Sequence, residues 1–227
     1  MIIWMFVIVA ALAVAAQDRK TAPSLKSEQS SQKPRLQLPS GWTLAGSRPQ
    51  DYEAGTDTAE KHSGRASAYL RLGAYKFKSD GFGALAQTIK AEAYRGRRVR
   101  LSAYVKTVEV EEYAGLWMRV DGAGRLLGFD NMTDRPIVGT SDWARYEVVL
   151  DVPEASVNIA FGLLLRGAGR VWVDDFHLEE VGQDVAVTNL LPPGGKEDRG
   201  GAPGGYPARP VNLDFEEAEA RPHTASP

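Results

Sequence analysis

Between residues 38 and 182, apolar side chains recur at every second position in several short runs, and no stretch of twelve keeps helical spacing. The clearest run is Arg98 to Val108, where Val99, Leu101, Ala103 and Val105 alternate with Arg100, Ser102, Tyr104 and Lys106. A strand puts the first set inward and the second outward. In Leu116 to Val120, Leu116, Met118 and Val120 share one face while Trp117 and Arg119 share the other. Asp121-Gly122-Ala123-Gly124 then supplies the positive-φ tolerance of a hairpin turn. Further strands are predicted at Tyr146 to Val152, Val157 to Leu165 and Arg170 to Leu178, separated by Asp151-Val152-Pro153 and Gly167-Ala168-Gly169. Many short strands at regular spacing predict an all-β sandwich or barrel.

The ends read differently. Met1 to Ala16 is an uninterrupted apolar run followed by Gln17, Asp18, Arg19 and Lys20. As a helix it spans roughly 24 Å, short of a bilayer core of about 30 Å. Ala13, Ala15 and Ala16 offer an A-x-A-like cleavage site, so the segment reads as a signal peptide, or as a short anchor if uncleaved, although no Lys or Arg precedes it. Residues 17–37, rich in Ser, Lys and Gln, read as a disordered linker. Residues 183–210 read as a second flexible linker, because Gly and Pro supply 11 of the 19 residues from Pro192 to Pro210. The domain is then Leu38 to Gly182, with 217–227 as a disordered tail.

Composition narrows the chemistry. In 227 residues, 27 Lys and Arg face 29 Asp and Glu, without the basic block that phosphate neutralisation needs, so nucleic acid is not an expected partner of this domain. The absence of Cys excludes disulfides, thiolate metal sites and thiol catalysis. His62, His177 and His223 stand in unrelated contexts, and no nucleophile, base and orienting acid can be nominated as a set, so no catalytic residue is expected. Gly122-Ala123-Gly124 and Gly167-Ala168-Gly169 each lack the third glycine and following helix of a dinucleotide fingerprint. No helix-turn-helix pattern is present either.

The order of landmarks resembles a known family. Gly41-Trp42, then His62-Ser63-Gly64-Arg65-Ala66-Ser67 entering a strand, Gln87-Thr88-Ile89, the Tyr94-Arg95-Gly96 turn, Asp142-Trp143 and Val171-Trp172-Val173-Asp174-Asp175 follow one another as in jelly-roll carbohydrate-binding modules of the galactose-binding-domain-like type. The resemblance covers about Leu38 to Val181 and implies an antiparallel two-sheet jelly-roll β-sandwich, non-catalytic, that often holds a structural calcium ion. It implies Asp174, Asp175 and Glu216 as candidate calcium ligands, carboxylates suiting a hard cation; capping of loop amides without metal is the alternative. The family pattern opens with Asn-x-x-Phe-Glu, which here stands at the far end as Asn212-Leu213-Asp214-Phe215-Glu216. A permuted arrangement follows, in which 211–216 returns as a strand with Leu213 and Phe215 inward; the roughly 90 Å reach of residues 183–210 allows it. A mobile tail is the plain alternative.

For a ligand surface, Tyr104 and Trp117 offer stacking faces, and Arg119, Asp130 and Asn131 offer hydrogen bonds, provided that the two strands share a sheet. Gly128 to Ile137 reads as a polar loop. Together with the resemblance, these residues lead to an expected secreted or periplasmic glycan-binding module with no nucleic-acid partner and no membrane contact except through residues 1–16. The competing reading is a protein-interaction or effector-sensing sandwich without carbohydrate affinity. An aromatic-lined concave groove would favour glycan, and a flat apolar patch protein.

Overall fold

In the computed structural model, which describes residues 37–74, 76, 78–193, 195–197 and 204–217, the alternating runs become strands. Ten follow one another: β1 (Thr43–Gly46), β2 (Tyr52–Asp57), β3 (Ser67–Leu72), β4 (Phe82–Lys90), β5 (Arg97–Gly122), β6 (Arg125–Asp130), β7 (Ile137–Val152), β8 (Ser156–Arg166), β9 (Arg170–Val181) and β10 (Lys196–Glu197). Helical structure among the described residues is confined to two 3-10 turns, Pro49–Asp51 and Glu92–Tyr94. No helix among them is long and apolar enough to cross a membrane, and the apolar segment 1–16 lies outside the described residues.

The longest strand organises the molecule. From Arg97 to Val108, β5 runs between β7 and β9; from Tyr113 to Gly122 it pairs with β8, with β6 on its other side from Met118 onward. One layer is therefore β7–β5–β9–β3–β2 and the other β1–β4–β8–β5–β6, with every pairing antiparallel. The two runs read separately in the sequence are halves of one strand. Their inward positions are odd-numbered in the first half (Val99, Leu101, Ala103, Val105) and even-numbered in the second (Ala114, Leu116, Met118, Val120), all at most 1% exposed. A face change of that kind needs an extra residue, and the ladder shifts register three times between Val105 and Ala114, with Glu109 at φ 51°. Leu85, Ile89, Ile159, Phe161, Leu163, Val171 and Val173 complete the core between the layers. This is the expected all-β, antiparallel two-layer sandwich.

The Gly/Pro-rich stretch expected as a free tether behaves otherwise where it is described. Arg98 donates to the carbonyls of Gln183 and Val185 at 2.7 and 2.6 Å. The Thr188 amide donates to Val149 O of β7, and the Leu190 amide to Phe129 O of β6, so residues 188–190 stitch the two layers together along one open side. The segment contributes carbonyls to Arg98 and the non-proline amides of Thr188 and Leu190 to the strands, which is why a proline-rich stretch can still pair. Residues 207–217 lie on the opposite flank. The Lys90 amide donates to Pro207 O, and the Phe176 amide to Leu213 O. Phe215 is 1% exposed and Leu213 packs against the core. Residues 211–216 are not the regular strand expected: they form turns, with Asn212 and Phe215 in the left-handed region at φ 48° and 57°.

Candidate ligand cleft

The outer face of the second layer is concave because its middle is floored by small side chains. Ala45 of β1 pairs with Ala84 of β4, and Ala84 pairs with Leu164 of β8. Gly162 stands directly opposite Trp117. Around this floor rise Phe82, Tyr113, Trp117 and Phe129, with Arg119 and Asn131 as the polar members, enclosing a cleft of about 400 Å³. That volume lies at the lower end of the range for small-molecule sites.

Strand alternation delivers the wall. Tyr113, Trp117 and Arg119 are outward positions of β5, and Phe129 of β6 pairs with Arg119 across the ladder. Asn131, just past β6, donates to the Tyr113 hydroxyl at 3.3 Å and accepts from Thr133 Oγ1 at 3.0 Å. Burial pushes the Tyr113 phenol above its ordinary value of 10, against the opposing pull of Arg166, so the hydroxyl stays protonated at neutral pH. Arg119 Nε donates to Asp121 at 2.6 Å, which fixes the guanidinium at the cleft edge. The Trp117 indole Nε1 is buried with no acceptor among the described residues. A donor in that state costs free energy on the order of 1–3 kcal/mol.

Three of the five expected ligand residues, Trp117, Arg119 and Asn131, meet in this cleft. The other two do not. Tyr104 lies on the half of β5 that belongs to the other layer, where its ring stacks on His62 at 3.6 Å and Trp143 meets His62 edge-on. The bulged stretch between the halves of β5 is the reason. Asp130 is fully buried and inward on β6; it accepts from the Met132 amide at 2.8 Å and from Arg135 Nη2 at 2.6 Å. Residues 128–130 are thus strand rather than the start of a polar loop. Phe82, Tyr113 and Phe129 were missed. The alternation that exposes Trp117 already implied Tyr113 four residues earlier, whereas Phe82 and Phe129 needed the strand order.

The candidate calcium ligands converge on one loop, but as acceptors of protein hydrogens. Asp174 takes the amides of His62, Ser63 and Asp175 at 2.9, 3.0 and 2.8 Å. Asp175 takes His62 Nδ1 at 2.8 Å and Ser63 Oγ at 2.9 Å. Glu216 takes the amides of Arg65 and Ala66 at 2.6 and 3.2 Å and Arg65 Nε at 2.8 Å. All six carboxylate oxygens are engaged by donors whose hydrogens would repel a cation. Among the described residues no group of three or more His, Cys, Asp or Glu is placed to hold a metal. These residues do not fit calcium. Nor does the cluster hold a hydrolytic relay, since Ser63 donates to the aspartate and not to the imidazole.

No protein-family model matches the chain. An uncharacterized HTH-type transcriptional regulator, YbfP, of Bacillus subtilis (strain 168) is 44% identical over 178 residues, covering 78% of this chain and 57% of the relative. The chain thus spans little more than half the length of that relative. Among solved structures, the xylan-binding domain CBM22-1 of Paenibacillus barcinonensis Xyn10C is 16% identical, with 64% of this chain and 88% of that one aligned at a TM-score of 0.46. A family 61 carbohydrate-binding module in complex with beta-1,4-galactotriose is 15% identical over 63% and 91% of the two chains, TM-score 0.42. A cyclase from Fischerella sp. TAU is 15% identical over 66% and 89%, TM-score 0.45. The Bacillus relative overturns the expected setting. A protein so named does not fit an exported module, which corrects the expected secreted or periplasmic location, signal peptide and role of a secreted carbohydrate-binding module.

Proposed function

We propose that the sandwich is an effector-sensing module of a regulatory protein, taking a small saccharide-like ligand into the cleft without transforming it. The observation that carries this reading is the cleft itself: four aromatic rings over a floor of alanine and glycine, with Arg119 and Asn131 at the polar edge. Such a surface suits a ligand with an apolar face and a hydroxyl-bearing rim, the chemistry of a pyranose ring. An enclosure of about 400 Å³ favours one or two sugar rings over a long polymer. The regulator name carried by the Bacillus relative supports the regulatory setting, in which a soluble small molecule is sensed.

The test is calorimetric titration of the purified chain with a panel of mono- and disaccharides. Binding of at least one of them, with a matching rise in melting temperature, is the expected result. A panel that leaves both signals flat across millimolar concentrations would reject a saccharide effector.

A further inference from the structure

The C-terminal segment sits in its groove as a recognised peptide does. Phe215 enters an aromatic cage, with ring centroids 5.3 Å from Trp42 and 6.1 Å from Phe176, while Trp42 stacks on Phe176 at 5.1 Å and meets Phe161 edge-on at 5.9 Å. Backbone and side chain of Asn212 are both read: Trp42 Nε1 donates to its carbonyl at 3.0 Å, and its amide group donates to Ser40 O and Glu217 O while accepting from the Glu217 amide. Gln87 exchanges two hydrogen bonds of 2.9 Å with the Val211 backbone. Glu216 closes the far end on Arg65 and Ala66.

The body is shaped for this occupant. A Cβ on Gly41 would run into the Val211 side chain, and one on Gly64 into the Glu216 carboxylate. Two non-glycine residues of the segment hold left-handed backbone, a conformation that persists only where surroundings over-determine it.

We infer that this groove is a peptide-recognition site for an Asn-x-x-Phe-Glu segment, filled by the chain's own residues 211–217, and that its occupation fixes one wall of the cleft. Trp42 is the residue immediately before β1, a four-residue strand whose only ladder among the described residues is with β4, and Ala45 and Gly46 of β1 line the cleft. Gln87 belongs to β4, whose Phe82 and Ala84 also line it. Release of the segment therefore frees the strand that bounds the cleft. The groove stands on its own contacts, whereas its regulatory meaning rests on the effector reading above.

The full-length chain carrying a specific protease site between Gly200 and Gly201 tests this without any cleft ligand. After cleavage, the C-terminal fragment is expected to co-elute with the body on size exclusion at micromolar concentration. A synthetic peptide of residues 204–217 should displace it, and the same peptide with Phe215→Ala should compete at least about 100-fold less well. Amide exchange in Thr43–Gly46 should accelerate at least about 10-fold when the fragment is washed away, and fall again on adding peptide. If the body unfolds on losing the fragment, restoration of its circular dichroism by the peptide supports the site, and failure to restore it rejects it. A fragment that departs while the body keeps its melting temperature and its β1 protection overturns the proposal. Trp117→Ala in the same cleaved protein should leave fragment retention unchanged, so failure of the cleft reading and failure of the groove are told apart.

Discussion

Asp130 and Asn131 are neighbours in sequence with opposite duties. The aspartate is inward on β6 and ties Arg135 and the Met132 amide into place, while the asparagine turns out to the cleft. Asp130→Ala is expected to lower stability by about 1–3 kcal/mol, because the loop amide and the Arg135 guanidinium lose their buried acceptor. Chemical denaturation would measure it, and an unchanged midpoint would contradict the assignment. Residue types alone could not separate the two, since an Asp in a turn and an Asp in a site share one signature. The carboxylates around His62 make the same point. Aspartates next to a glycine-containing loop read equally as ligands or as amide caps, and the distances decide for capping. Millimolar calcium, compared with a chelator, is therefore expected to leave the melting temperature unchanged; a rise of several degrees would contradict the fit.

At the level of elements, the strands were legible because the alternation is strong, and the shift of inward positions from odd to even along β5 was present in the sequence as well. What alternation does not encode is which neighbours a strand takes after a bulge, and this separated Tyr104 from Trp117. The tail was legible as a motif, but its turn geometry was not, since it depends on the cage that receives it. Its far end carries a pH dependence. The Arg65 amide, then its guanidinium, hold the Glu216 carboxyl below its ordinary value of 4.5. A folded value below the unfolded one means that the contact's contribution is present above about pH 4.5 and is lost as pH falls through the folded value. Glu216→Gln is thus expected to lower the melting temperature at pH 7 and to lessen its decline between pH 5 and pH 3. A variant whose acid profile parallels the parent chain would show that the contact contributes nothing.

Over the whole molecule, one long strand joins two layers, the second of which presents an aromatic cleft, while residues 188–190 and 207–217 close opposite flanks of the sandwich. The location expected from the apolar N-terminus is overturned by a relative that is 44% identical over 178 residues and named a transcriptional regulator, which does not fit an exported module. A ligand site in the cleft and a structural role for the Tyr104 face make opposite demands on Trp117 and Tyr104. The most direct test is calorimetric titration of the best-binding sugar against the parent chain, Trp117→Ala and Tyr104→Ala under one buffer. Trp117→Ala is expected to weaken binding at least about 10-fold, the loss of one stacked ring, with Tyr104→Ala within about twofold of the parent. Full affinity in Trp117→Ala, or loss confined to Tyr104→Ala, would contradict the account.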